Sequence, residues 1–233
     1  DVALHVEDMT EGGGYKVSGR GELHLSILIE TMRREGYEFQ VSAPKVILRQ
    51  EEDRVLEPYE EVTIDVDEAY AGTVIEKLGQ RRGQMLEMVQ NRDLTRLRYK
   101  IPTRGLLGFK AEFMSDTKGM GVLSYIFMGY DTHAGPMRNR QNGVLVSLVT
   151  ATSVAYALFN LQNRGRLFLS PGEPIYRGQI IGEHCRDNDL LVNPAKGKQL
   201  TNMRAAGSDE NVILTPPVRM SLEECMAYIN DDE

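Results

Sequence analysis

Positively charged side chains in two arrangements are the residues of this chain best placed to do chemistry, and that chemistry is the binding of phosphate. Between Asn193 and Ser208 stand Lys196, Lys198 and Arg204, with Gly197 and Gly207 and no acid among them. The segment has little periodicity, which predicts a loop carrying positive charge, and loops presented by a scaffold often hold function. The second arrangement is the run Leu94 to Ile101. There Thr95, Leu97, Tyr99 and Ile101 share one strand face, and Arg96, Arg98 and Lys100 share the other with Leu94. Such a row is either an ordinary solvated face or a stripe that meets phosphates or another domain. Arg138 and Arg140 are further candidates of the same kind. Contacts of this type address the nucleic-acid backbone, and nothing in these residues specifies base readout.

Other chemistries lack their residues. A P-loop needs GxxxxGK[ST], so that backbone amides and a lysine can hold the phosphates. The nearest feature, Gly197-Lys198, has Val192 where the first glycine belongs and Gln199 where Ser or Thr belongs. Gly19-Arg20-Gly21 opens a helical pattern; it reads either as an anion site at a helix N-terminus or as a tight strand-to-helix turn. His5, His24, His133 and His184 are dispersed, without HxxxH or HExxH spacing, and Cys185 and Cys225 form no CxxC pair. His184 and Cys185 would point to opposite faces of a strand. No G-x-S-x-G elbow is present. The reading is of no catalytic residue, metal or cofactor in this chain. A small-molecule-binding enzyme or sensor is the alternative, and it would need a pocket with a converging acid, base and nucleophile.

Length and charge fit this picture. The chain has 233 residues, 41% of them hydrophobic and 26% charged, which suits two or three globular domains. No apolar run approaches the roughly 20 residues a membrane helix needs, and the first residues carry no basic leader pattern. Two distant cysteines suit a reducing cytoplasm. The net charge of −7 is unevenly spread. Residues 1–90 hold 19 acids against 10 Lys and Arg, whereas residues 135–219 hold 6 acids against 10. Phosphate affinity follows local charge, so RNA remains a partner class.

Hydrophobic periodicity supplies the elements that must position these residues. Ala3 to Val6 and Tyr15 to Ser18 read as a hairpin across the Gly12-Gly13-Gly14 turn. Leu25, Leu28, Ile29 and Met32 mark one face of a helix over 22–35, with Gly36 as its C-terminal cap. Tyr37, Phe39 and Val41 alternate with polar residues, which predicts a strand, and the charged stretch 49–60 reads as a linker. The order β-β-α-β would need one more strand and helix in front to complete a βαββαβ unit, as if cut from a longer protein. Residues 62–128 then spell out a complete one: strand 62–66, helix 71–82, strands 84–90 and 94–101, a helix through Leu106, Phe109 and Phe113, and strand 120–128. From about residue 134 the pattern changes. Strands 144–149, 166–169, 179–184 and 211–214 and a helix over 153–163 suggest a small β-rich domain. Ser221 and Glu224 form a capping box for a last helix over 222–229.

At this point the residues resemble a known family. Val17-Ser18-Gly19-Arg20-Gly21-Glu22-Leu23-His24-Leu25, followed by Glu30 to Tyr37, resembles domain III of the elongation factor G group. Leu56-Glu57-Pro58-Tyr59-Glu60-Glu61-Val62 with Glu76 to Gly83 is similar to the start of its domain V. Ile101-Pro102-Thr103-Arg104-Gly105-Leu106-Leu107-Gly108-Phe109, Asn139 to Gly143 and Lys196 to Arg204 are similar to the BipA/TypA subfamily. The resemblance implies an α+β architecture in three parts. Residues 1–52 would be a partial domain III, 53–133 a ferredoxin-like domain V, and 134–233 a subfamily-specific C-terminal domain that is β-rich with one or two helices. It implies a bacterial, cytoplasmic translational GTPase that binds the ribosome, through ribosomal RNA and A-site tRNA, with no DNA or membrane partner. Stress response, virulence regulation and ribosome assembly are the implied roles. GTP and Mg would belong to a nucleotide-binding domain outside these residues. The family also continues into a basic tail where this sequence ends in Asp231-Asp232-Glu233.

Overall fold

A computed structural model describes residues 2–9, 13–52, 54–91, 93–137, 140, 142–197 and 213–230. They fall into two compact units, one formed by Asp1–Asn139 with Leu222–Glu233 and the other by Arg140–Ser221.

The first unit begins with an antiparallel hairpin of β1 (His5–Asp8) and β2 (Tyr15–Ser18), in which His5 faces Ser18. Helix α1 (Glu22–Arg34) follows with Ile29 of the expected apolar face buried, Leu25, Leu28 and Met32 half-buried, and the polar Ser26 buried beside them. Its end is closed by Gly36 at φ +88°, a left-handed conformation that costs a Cβ-free residue little. There the Gly36 and Tyr37 amides donate to Arg33 O and Met32 O. The strand expected at Tyr37, Phe39 and Val41 does not form, and all three side chains are exposed. Alternation marks a strand only where a neighbouring ladder exists, and among the described residues none pairs with this segment. The expected linker over 49–60 is instead structured. Arg49 and Glu51 sit on β3 (Arg49–Glu51), and Arg54, Glu57 and Glu60 on the first half of β4 (Arg54–Asp67), paired with Arg49 opposite Leu56.

The rest of this unit is the ferredoxin-like sandwich. After β4 come α2 (Glu68–Gln80), β5 (Gln84–Asn91), β6 (Leu94–Pro102), a 3-10 turn over Thr103–Leu106, α3 (Phe109–Asp116) and β7 (Val122–Thr132). The Asp67 carboxylate starts α2 by accepting the Ala69 N–H at 2.9 Å. The pairings put the strands in the order β7-β4-β6-β5, all antiparallel. One sheet face and both helices close over Val62, Ile64 and Val66 of β4, Leu97, Tyr99 and Ile101 of β6, Leu78 of α2, and Phe109 and Phe113 of α3. Burying each such side chain contributes about 1.5–3 kcal/mol.

The second unit has β8 (Val144–Ser147), β9 (Ala151–Thr152), α4 (Ala155–Leu161), β10 (Gly165–Leu167), β11 (Pro174–Ile175), β12 (Ile180–His184) and β13 (Leu190–Val192). Four strands form a sheet in the order β10-β12-β8-β13, with β13 parallel to β8, and β9 pairs with β11. Its core gathers Leu145, Leu158, Leu167, Ile181 and Val192. The β-rich last domain with one internal helix is therefore present. The strand expected at 211–214 falls partly outside the described residues.

The last helix, α5 (Leu222–Tyr228), packs within the first unit. Met226 is buried, and the Ser26 hydroxyl of α1 lies 3.6 Å from its sulfur. Glu22 accepts the Gly108 amide at 3.2 Å, and Ala227 lies so close to Gly108 that a Cβ there would meet it at 2.5 Å.

Candidate nucleic-acid interface

The basic row on β6 lies on the sheet face opposite the core, as the alternation requires, but none of its cations is free. The Arg96 guanidinium forks onto Asp65 at 2.7 and 2.8 Å. Arg98 reaches Glu61 at 2.6 Å on one side and Glu87 at 2.8 Å on the other. Lys100 pairs with Asp131 and sits over the Tyr59 ring. The partners come from β4 and β5, the strands on either side, and from β7 beyond β4. Hydrogen bonding to Arg96 holds the Asp65 carboxyl below its usual range, and Lys100 does the same to Asp131. A phosphate arriving here would have to displace a carboxylate from each cation.

Arg140 is also engaged. Its side chain is 11% exposed, Nε donates to Asn142 O at 3.0 Å, and Asp189 lies 3.9 Å away. Arg138, Lys198 and Arg204 lie outside the described residues.

Lys196 differs from these. It follows β13 in a short turn in which Asn193 Oδ1 accepts the Ala195 amide at 3.0 Å, while Pro194 O takes the Val154 N–H. The base of the basic segment is thus tied to the start of α4. Lys196 itself is exposed and forms no ion pair with any described residue. It borders a groove of about 380 Å³ between α4 with the turn after it and β13 with the turn after it. Tyr156, Asn160 and Arg164 line the first wall, and Leu191, Asn193 and Lys196 the second. Among the described residues no carboxylate lines the groove. Arg164 is exposed and, among the described residues, likewise unpaired. The sequence reading missed Tyr156 and Arg164. The signal was their spacing of four and four around Asn160, but only the pairing of β13 beside β8 makes that face a wall.

The remaining candidates have structural surroundings. Gly21 precedes α1 in an extended conformation, and the Arg20 amide is directed at His24 Nδ1 at 3.3 Å. His184 is buried with Nδ1 2.6 Å from Asn188 O, and Cys185 is exposed, so the two point to opposite sides. Among the described residues no three His, Cys, Asp or Glu side chains are grouped to hold a metal ion. No helix of the described residues is long and apolar enough to cross a membrane.

One buried ion pair is one that the sequence reading did not single out. Glu57 on β4 is fully buried and meets Arg104 of the 3-10 turn at 2.5 Å. It also accepts the Ala134 amide at 2.6 Å, and Arg104 donates to Gly135 O. Burial alone would raise the Glu57 pKa, but the Arg104 and Ala134 hydrogen bonds and the charges of Arg104 and His133 outweigh it and hold it low. The pair fastens the chain that leaves β7.

Comparison with known proteins puts a family boundary at residue 141, beside the start of the second unit, with α5 belonging to the second family although it packs in the first unit. Residues 54–141 match the elongation factor G C-terminus family, and residues 142–233 match the TypA/BipA C-terminal domain family. Over its whole length the chain is 54% identical to the large ribosomal subunit assembly factor BipA of Salmonella typhimurium. It is 53% identical to the protein of that name from Escherichia coli K12 and 51% identical to that of Haemophilus influenzae. It spans 39% of the length of the first two relatives and 38% of the third. With an elongation-factor-G-like unit followed by the TypA/BipA C-terminal domain, and about half its residues shared with these relatives along the full chain, this chain belongs to the BipA/TypA family.

Proposed function

We propose that this chain is the ribosome-binding region of a BipA-type translational GTPase and acts by holding RNA rather than by catalysis. The observation that carries the reading is Lys196. It is an exposed cation without an ion-pair partner among the described residues, at the start of an acid-free segment bearing Lys198 and Arg204. In this reading Lys196, Lys198 and Arg204 contact the phosphates of ribosomal RNA or of A-site tRNA, with Arg138 and Arg140 near the entry to the same domain. The family domains divide in this reading as 1–52, 53–133 and 134–233, the last contributing α5 to the first compact unit. Arg96, Arg98 and Lys100 contribute only where RNA displaces their carboxylates. Relatives named as large ribosomal subunit assembly factors support assembly of the large subunit as the process served. Stress response and virulence regulation would follow from it, in a bacterial cytoplasm. GTP and Mg act outside these residues, because no GxxxxGK[ST] sequence occurs in them.

The test is ribosome pelleting of the full-length protein at low and high salt. Replacing Lys196, Lys198 and Arg204 together by alanine is expected to weaken binding at least tenfold and to flatten its salt dependence, since each lost phosphate contact removes about 0.7–0.9 from the logarithmic slope. Unchanged affinity in that variant would overturn the assignment of this segment.

A further inference from the structure

We propose that the groove beside α4 is a binding site for one unpaired ribonucleotide, its base against Tyr156 and Leu191 and its flanking phosphates on Arg164 and Lys196. The inference rests on the reading of this domain as an RNA-contacting module and adds what the basic segment lacks, a place for a base.

Four features converge on that occupant. The space, about 380 Å³, lies at the lower end of small-ligand sites and suits one nucleotide rather than a helix or a duplex edge. Its walls leave Tyr156 39% and Leu191 63% exposed, although the unit closes its own core around Leu145, Leu158 and Ile181. A flat apolar surface with an aromatic ring in solvent is what base stacking uses, and stacking tolerates any base. The charge is complementary: Arg164 and Lys196 stand on the two walls with no carboxylate among the described residues that line it, whereas the cations of β6 are all ion-paired. Finally, two carboxamides each have one end committed. Asn160 Nδ2 donates to Tyr156 O at 2.8 Å, which leaves its oxygen as an acceptor. Asn193 Oδ1 accepts from Ala195, which leaves its NH2 group as a donor. Together they offer a base edge one acceptor and one donor.

The probe is a fluorescein-labelled hexamer of uridine, followed by anisotropy with the 233-residue chain at low salt, beside an RNA duplex and a glutamate-rich peptide of similar length. The hexamer is expected to bind more tightly than the duplex. Tyr156→Ala should weaken it about tenfold, whereas Tyr156→Phe, which keeps the ring, should stay within twofold. Arg164→Ala should weaken it severalfold and lower the salt slope by about 0.7. Both positions are exposed, and circular dichroism of each variant is the control for folding. Equal binding of duplex and hexamer, no hexamer binding, or unchanged affinity in both Tyr156→Ala and Arg164→Ala overturns the inference. Preferential binding of the acidic peptide with the same Tyr156 dependence overturns it in favour of a protein partner. Ribosome pelleting separates the two levels. If the groove fails alone, loss of binding on replacing Lys196, Lys198 and Arg204 persists; if the wider reading fails, that loss disappears as well.

Discussion

Arg104 and Glu57, 47 positions apart in sequence, meet at 2.5 Å with the carboxylate fully buried and the guanidinium side chain 17% exposed. The pair joins the turn after β6 to the first half of β4, and through Ala134 N and Gly135 O it fixes the segment after β7. Removing one member leaves the other charge buried and unpaired, which typically costs 3–5 kcal/mol. Arg104→Ala is therefore expected to lower urea stability by about that amount. Replacing both residues by apolar ones of similar volume should cost much less than the sum of the single changes. A double-mutant cycle in urea measures both, and additive losses would show that the two side chains do not act as a pair.

The same pair sets an acid limit. Glu57 and Asp65 are held below their usual pKa when folded, so the folded state binds fewer protons than the unfolded chain between the two values. Stability from them is fully present above the unfolded value of about 4.5 for Glu and about 3.8 for Asp, and is lost as pH falls through the lower folded values. Glu22 has the opposite sign: burial, with help from the nearby Glu223 charge, raises its pKa. Its ionised form therefore costs stability above the folded value. Unfolding curves from pH 3 to 7 should flatten at the acid end in Glu57→Gln, while Glu22→Gln should gain stability relative to the parent as pH rises towards 7.

These relationships explain which parts of the molecule were legible in the sequence. Helix α1 and strands β4 and β6 were readable because Leu25 with Ile29, and Val62, Ile64 and Val66, carry their periodicity within a few residues. The Tyr37–Val41 alternation misled because a strand also needs a ladder beside it. The charged stretch 49–60 misled for the converse reason, since a hairpin with an exposed face tolerates Arg49, Glu51 and Arg54. In the candidate site the residue types were visible but their partners were not. Asp65 and Arg96 are 31 positions apart, and the groove joins Arg164 to Lys196 only through β13.

Close backbone packing in the second unit gives a separate expectation. A Cβ at Gly165 would meet the Glu183 carbonyl oxygen at 1.9 Å, where β10 pairs with β12. The three nearest atoms are all backbone of Glu183 and His184, so no side chain can swing away and Gly165→Ala must part the strands. Overpacking of this kind costs about 1–3 kcal/mol or more. Hydrogen exchange should show faster exchange at amides of β10 and β12, and protection there equal to the parent's would mean that the strands accommodate the methyl group.

Charge removal should separate the two basic features. Arg96 is 60% exposed on its side chain and forked onto Asp65, so its loss removes a solvent-screened pair that contributes little to stability. It also frees Asp65, leaving a carboxylate that repels phosphate. Lys196 has no such partner among the described residues, and its removal takes away positive potential outright. If the proposed RNA contact lies on the last domain, Lys196→Ala in the full-length protein should weaken ribosome binding and lower its salt slope by about 0.7–0.9. Arg96→Ala with Asp65→Asn should leave both unchanged, because the pair adds no net field to begin with. Pelleting at several salt concentrations distinguishes the variants. A larger loss of slope in the Arg96 and Asp65 double variant than in Lys196→Ala would move the RNA contact to the sheet of the first unit.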